Sequence, residues 1–266
     1  MVAQADGGFQ HKVVVLTGAG TGIGREMALA FSARGARVAI AARRVALLEE
    51  TAELCVQQTG HRPLVLEADV TDEGAVDRMI DGTVAHYGAL DFAVSNAASP
   101  GKDSFIWEQT LENWDQTLAT NLTAQMLVAR AALRHMMPKR RGAIVLFSST
   151  AAHQVFPRKS HYNASKYAVF ALTRTLAKEA GAYGIRANCV VPGATRTELL
   201  ENYIERIASE RGIAAAEVEA ELASDAALGR VVTPSEVAEV ALFLCSDASS
   251  GVTGQAINVC GGSVFE

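Results

Sequence analysis

The sequence predicts a single doubly wound α/β domain, a parallel sheet of seven strands with helices on both faces. Three observations predict it. Short apolar runs rich in β-branched residues are nearly continuous rather than alternating, as strands buried on both faces of a parallel sheet require. The segments between them are long enough for crossover helices. The 266 residues, 49% hydrophobic and 20% charged, suit one large domain with a full core.

Taken in order, residues 1–10 carry no basic region followed by an apolar run, so they do not form a signal peptide. They are expected to be a flexible tail, and 11–266 to be the domain. Strands are expected at 12–17, 37–42, 63–68, 91–95, 143–148, 186–191 and 256–259. Leu111, Trp114, Leu118, Leu122 and Met126 recur at three- and four-residue spacing and predict one apolar helical stripe. Thr233-Pro234-Ser235-Glu236 is a capping box with proline at the first helical position. The helix it opens carries Val237, Val240, Ala241 and Leu244. Before it, 194–232 is long for a connection inside a compact domain. Leu199, Leu200, Tyr203, Ile204 and Ile207 place an amphipathic helix there, which reads as a substrate lid or as a surface helix pair.

Composition excludes several function classes. A net charge of −5 and a pI near 5.7 argue against a nucleic-acid partner, which needs a basic footprint. The run Lys139-Arg140-Arg141 reads as a solvated helix end. No apolar stretch approaches the ~20 residues that cross a bilayer, so no membrane partner is expected. Cys55, Cys189, Cys245 and Cys260 show no Cys-x-x-Cys or metal-type spacing. They are expected to be reduced core thiols of a cytoplasmic protein, with no metal site.

Chemistry enters directly after the first strand. Gly18, Gly20, Thr21, Gly22, Ile23 and Gly24 form a glycine-rich strand-to-helix turn. Glycines there allow a tight turn and close approach of backbone to a pyrophosphate, and the helix start offers N–H groups and a positive dipole end. The second strand ends Ala42-Arg43-Arg44. An acidic residue here would bind the ribose 2′-hydroxyl of NAD, whereas Arg43 can pair with a 2′-phosphate. NADP(H) is therefore expected, with NAD as the alternative. Asp69, at the end of the third strand, reaches the adenine amino group or begins a turn before Thr71. Val70 is placed beside it in the cofactor site.

Tyr162 and Lys166 are one helical turn apart and share a face. A tyrosine titrates near ~10, and a neighbouring ammonium favours its phenolate. Bringing it near neutrality needs roughly 4 kcal/mol of differential stabilisation, within reach of close charges in a partly desolvated site. Ser149 or Ser148, after the fifth strand, lies at a carboxyl strand end, where open α/β sheets bind ligands. Asn121 sits mid-helix, a poor place for asparagine on propensity. Its side chain can bond the backbone locally and order a water.

Together these residues resemble the short-chain dehydrogenase/reductase family in its single-domain form. The likeness runs from Lys12 to the C-terminus. It rests on Thr17-Gly18-x-x-x-Gly22-x-Gly24, Asn96-Ala97, Asn121, Ser149, Tyr162-x-x-x-Lys166 and Pro192-Gly193. The resemblance implies a Rossmann-like fold and a catalytic tetrad of Asn121, Ser149, Tyr162 and Lys166, the serine-to-tyrosine spacing selecting Ser149. It implies that Lys166 also holds the nicotinamide ribose, and that Asn96, Ala97, Tyr162, Pro192, Gly193, Thr195 and Thr197 line the cofactor. It further implies a homo-oligomer, a tetramer or a dimer. Two departures stand out: Ala98 where relatives carry glycine, and Cys260 where they often carry aspartate. The expected activity is hydride transfer between NADP(H) and a ketone, aldehyde or secondary alcohol. The alternatives are an NAD-linked catabolic alcohol dehydrogenase and a non-catalytic dinucleotide sensor or scaffold.

Overall fold

The computed structural model describes residues 8–265. Its strands are β1 (Val13–Thr17), β2 (Arg37–Ala42), β3 (Leu64–Glu67), β4 (Phe92–Ser95), β5 (Gly142–Phe147), β6 (Ile185–Pro192) and β7 (Ala256–Val259). They form one sheet in the order β3-β2-β1-β4-β5-β6-β7, parallel throughout. The chain winds outward from β1 to β3, then returns to build the other half from β4. The switch point between β1 and β4 opens a crevice at their carboxyl ends.

The helices are α1 (Gly22–Ala33), α2 (Val45–Thr59), α3 (Glu73–Tyr87), α4 (Leu111–Leu118), α5 (Ala124–Lys139), α6 (Ser160–Ala180), α7 (Glu198–Arg211), α8 (Ala215–Ser224) and α9 (Pro234–Cys245). Alternate strand residues face opposite ways, which splits the core into two layers. Val13, Val15, Ala39 and Ala41 face Val76 and Ile80 of α3, Val128 of α5 and Val169 of α6. Val14, Leu16, Val38 and Ile40 face Met27 and Phe31 of α1, Leu48 of α2 and Val237 and Ala241 of α9. The Thr233 capping box forms as expected. Arg230 and the Thr233 N–H hold the Glu236 carboxyl down to about 2. All four cysteines are free and buried.

Two expectations are corrected. The tail expected over 1–10 does not hold at Phe9. Residues 1–7 lie outside the described residues, but Phe9 is buried and meets the rings of Phe31 and Phe92 edge-on at 5.3 and 5.8 Å. The stripe from Leu111 to Met126 is not the buried face: Leu111 is 77% exposed, while Thr117, Asn121, Gln125 and Val128 are buried. A π turn over Ala119–Thr123 joins α4 to α5. Its extra residue rotates the helix phase, so a regular spacing drawn across it drifts off the core.

The 194–232 segment is a helix pair. Ile204 and Ala208 of α7 pack on Val218 of α8, flanked by Leu200, Ile207 and Leu222. No helix among the described residues is long and apolar enough to cross a membrane.

Candidate active site

The glycine turn occupies the β1 side of the crevice. Gly18 and Gly22 have positive φ, 67° and 53°. A Cβ on Gly18 would lie 2.9 Å from the Ala97 Cα, and one on Gly24 would lie 2.0 Å from the Gly18 carbonyl oxygen. No side chain fits at either position. Asn96 and Ala97 donate their backbone N–H groups to the Thr17 Oγ at 3.1 and 3.2 Å. The Asn96 side chain donates to the Thr17 and Gly18 carbonyls, so the ends of β1 and β4 are tied together. From behind, Arg25 donates to the Gly20 carbonyl at 2.7 Å, and Thr51 to the Ala19 carbonyl at 3.0 Å. Thr197 comes over the front: a Cβ on Gly22 would meet its methyl at 3.2 Å.

These residues fit a dinucleotide. Thr21 precedes α1 without a capping side-chain bond, and the first turn holds no acidic residue. The leading N–H groups and the positive end of the helix thus have no side chain to satisfy them, which suits a phosphate. Ile23 is partly buried against the core. Arg43, with its side chain 77% exposed, stands 3.9 Å from Asp69. The other Asp69 oxygen accepts from the Thr71 N–H and hydroxyl, and these bonds keep the carboxyl below its usual range. Asp69 is thus a turn residue, whose second oxygen faces Arg43. Val70 is buried behind it. Pro192 ends β6. Gly193 follows so close to Cys260 that a Cβ would lie 2.7 Å from the cysteine Cβ. Thr195 bridges to Val232 and donates to the Gly193 carbonyl. Ala98 is exposed and is not among the positive-φ residues, so alanine stands there without strain.

The other wall is built by β5 and α6. Ser149 caps a 3₁₀ turn over Thr150–Ala152, and its side chain neighbours the Tyr162 hydroxyl and favours its ionised form. Ser148 turns away and donates to the Lys166 carbonyl at 2.7 Å. The structure thus separates the two serines that sequence left open. Lys166 is 2% exposed. Its Nζ donates to the Phe147 carbonyl at 3.1 Å and lies 5.7 Å from the centre of the Tyr162 ring. Burial pushes Lys166 down to about 8. Burial raises Tyr162, opposed by the neighbouring Ser149 hydroxyl. The pair has the makings of a proton donor with a tunable cation beside it.

Asn121 differs from the expectation of local bonding. Its Oδ1 accepts from the Ser99 N–H at 2.8 Å. Its Nδ2 donates to the Ser99 carbonyl and the Ser165 hydroxyl at 2.9 and 3.1 Å. Ser165 donates in turn to the Tyr162 carbonyl. The side chain is therefore a clamp joining the loop after β4, the π turn and α6, and its polar atoms are already engaged.

Three segments meet at the mouth. Asp103 pairs with Lys159 at 2.5 Å and with Arg206 of α7 at 3.1 Å. Arg158 lies over the Phe105 ring. Lys159 is thus neutralised by its own chain. Leu199 and Tyr203 of α7 are 62% and 38% exposed. Sequence reasoning did not reach Ser99, Ser165, Arg25 or Gln125. Only Gln125 left a signal, its place one helical turn after Asn121.

Comparison with known proteins gives one picture. Residues 18–263 match the family model described as enoyl-(acyl carrier protein) reductase. A short chain dehydrogenase/reductase of Aspergillus oryzae is 35% identical over 96% of this chain and 95% of its own. The cis-4-hydroxycyclohexanecarboxylate dehydrogenase of Sinomonas cyclohexanicum is 36% identical over 96% and 97%. Among solved structures, NAD⁺-bound xylitol dehydrogenase superposes with a TM-score of 0.90 at 29% identity, over 96% of this chain and 100% of that one. An actinorhodin polyketide ketoreductase variant with NADPH gives 0.90 at 31%, over 95% and 97%.

Proposed function

The chain belongs to the short-chain dehydrogenase/reductase family, and from that premise we propose that it interconverts a hydrophobic cyclic ketone and its secondary alcohol with NADP(H). One observation carries the reading: Tyr162, beside Ser149, sits one helical turn from Lys166, whose buried ammonium lies 5.7 Å from the centre of its ring. When bound along Gly18–Gly24, Asn96, Thr195 and Thr197, the nicotinamide cofactor supplies or accepts the hydride. Ser149 orients the substrate oxygen. Tyr162 gives that oxygen a proton in reduction and takes it back in oxidation. The Lys166 ammonium stabilises the phenolate as it forms. Asn121 holds the π turn and α6 in register around them. A homo-oligomer is part of the proposal, by likeness to the family.

A sign follows for pH. Tyr162 is raised by burial and stays protonated through neutrality. Lys166, brought down to about 8, loses its charge above that pH. Ketone reduction should therefore fall as pH rises through about 8, which a pH–rate profile at saturating cofactor would read directly.

NADP(H) is favoured by Arg43. Its bond to Asp69 is long and exposed, and such pairs contribute little, so the guanidinium is available to a 2′-phosphate. Arg43→Ala should weaken NADPH binding roughly 10- to 100-fold, the scale of a charge-assisted bond. NADH binding should be unchanged. Equal losses for both cofactors, in parallel fluorescence titrations, would remove the argument.

The substrate class rests on the apolar face that Leu199 and Tyr203 present, and on likeness to a dehydrogenase of a hydroxycyclohexane carboxylate. A Leu199→Asp, Tyr203→Asp variant should raise KM for a 4-alkylcyclohexanone about tenfold while kcat changes little, since two buried apolar contacts are worth a few kcal/mol at most. An unchanged KM would exclude α7 from the pocket.

A further inference from the structure

Gln125 is fully buried, and each of its polar atoms is committed next to the candidate active site. Strand β4 pairs with β5 only as far as Ser95 opposite Leu146. On the far side, β6 still covers this end, with the Ser148 N–H donating to the Val190 carbonyl. The next residue of β5, Phe147, therefore has a strand-facing N–H and carbonyl with no β4 partner. The Gln125 carboxamide fills that place. Its Oε1 accepts from the Phe147 N–H at 2.9 Å, and its Nε2 donates to the Phe147 carbonyl at 3.0 Å. The same Nε2 donates at 2.6 Å to the carbonyl of Asn121. The Phe147 oxygen also accepts from the Lys166 Nζ.

We infer that Gln125 is a positioning residue for the proton-transfer machinery. It substitutes for the missing strand at the end of β5 and, by sharing the Phe147 carbonyl with Lys166, fixes the ammonium against the π turn of Asn121 and the strand end that carries Ser149. The role deepens the proposed function and rests on Lys166 serving there. Apolar packing would fill the space but would leave the Phe147 N–H without its partner and take a donor from the Phe147 and Asn121 carbonyls. A second donor on one carbonyl also weakens what that oxygen offers the ammonium, so Gln125 works in the same direction as burial on Lys166. The ionisable groups facing the ammonium are Tyr162 on α6 and Cys189 on β6. Burial pushes Cys189 up to about 12, so it stays neutral. Gln125 and Asn121, from the helix and the π turn, do not ionise.

The test begins on the unaltered protein and needs no turnover. The six lysines are labelled with ¹³C and the glutamines with ¹⁵N, and both are followed by NMR against pH. The Gln125 side-chain amide should shift with the same midpoint as Lys166. An amide that stays still while Lys166 titrates overturns the inference, whatever the variants do. Gln125→Met, similar in length and apolar, should move the Lys166 midpoint upward, and Gln125→Glu further upward. In Gln125→Met, kcat should fall roughly tenfold with KM within about twofold, the signature of misplacement rather than lost binding. A lowered Tm with the wild-type Lys166 midpoint and wild-type kcat would make Gln125 merely structural and overturn the inference. If the wild type turns over no carbonyl, the functional reading fails by itself, and the NMR arms still decide the place of Gln125.

Discussion

Tyr162→Phe should lower turnover at least ~10²-fold, the usual scale of acid/base catalysis, while fold and NADPH affinity stay near wild type. The reason is local. The substitution removes one oxygen and keeps the ring that packs near Lys166. Ser149 still accepts from the Ala151 N–H at 3.2 Å, so the serine keeps its orientation. The glycine turn is bound to β4 through Thr17 and Asn96, and none of those bonds passes through Tyr162. Three readouts check the outcome together: kcat, Tm and a fluorescence titration with NADPH. A variant with near-normal kcat would remove Tyr162 from the chemistry. Loss of Tm would mean that the hydroxyl is structural.

Lys166→Met should move function and stability in opposite directions. Turnover should fall by ~10² or more, since the cation that stabilises phenolate is gone. Stability at neutral pH should rise. Keeping a proton on a buried amine pushed from 10.5 to about 8 costs on the order of 3 kcal/mol, and methionine of similar length fills the space. The Phe147 carbonyl keeps the Gln125 donor at 3.0 Å, so the substitution orphans no buried acceptor there. The pH dependence has a definite sign. Between about 8 and the ordinary lysine value of 10.5, the unfolded wild-type chain binds more protons than the folded one, so wild-type stability rises with pH across that window. The advantage of the variant should be full below about 8 and shrink above it. Denaturant unfolding at pH 7 and pH 10 would read this. A variant less stable than wild type at pH 7 would mean that Lys166 packing outweighs its desolvation. Such a stability–activity conflict is expected where a charge is buried for chemistry.

The fold was legible because its signals are periodic and cumulative. Seven apolar runs carried the sheet, and strand ends moved by one residue at most. The site was legible where chemistry demands a residue type at a fixed spacing. Gly18 and Gly24 leave no room for a side chain, and Tyr162 with Lys166 must share a helical face. Two kinds of feature escaped. The π turn at Ala119–Thr123 breaks helical phase without any residue that announces it, which is why Leu111 and Met126 looked buried. Contacts between distant segments escaped as well. Asn121 to Ser99 and Asp103 to Arg206 depend on how loops at one sheet end converge, and no local pattern encodes that. Phe9 looked like tail for the same reason, since its partners lie on α1 and β4.

The proposed reaction is reduction of a cyclic ketone with NADPH through Tyr162. Its most direct test is the loss of reduced-nicotinamide absorbance when the purified protein meets a 4-alkylcyclohexanone, run in parallel with NADPH and NADH and with Tyr162→Phe as control. The expected result is ketone-dependent oxidation, faster with NADPH and nearly abolished in the variant. Ketone-dependent oxidation that the Tyr162→Phe variant sustains at the wild-type rate would contradict it.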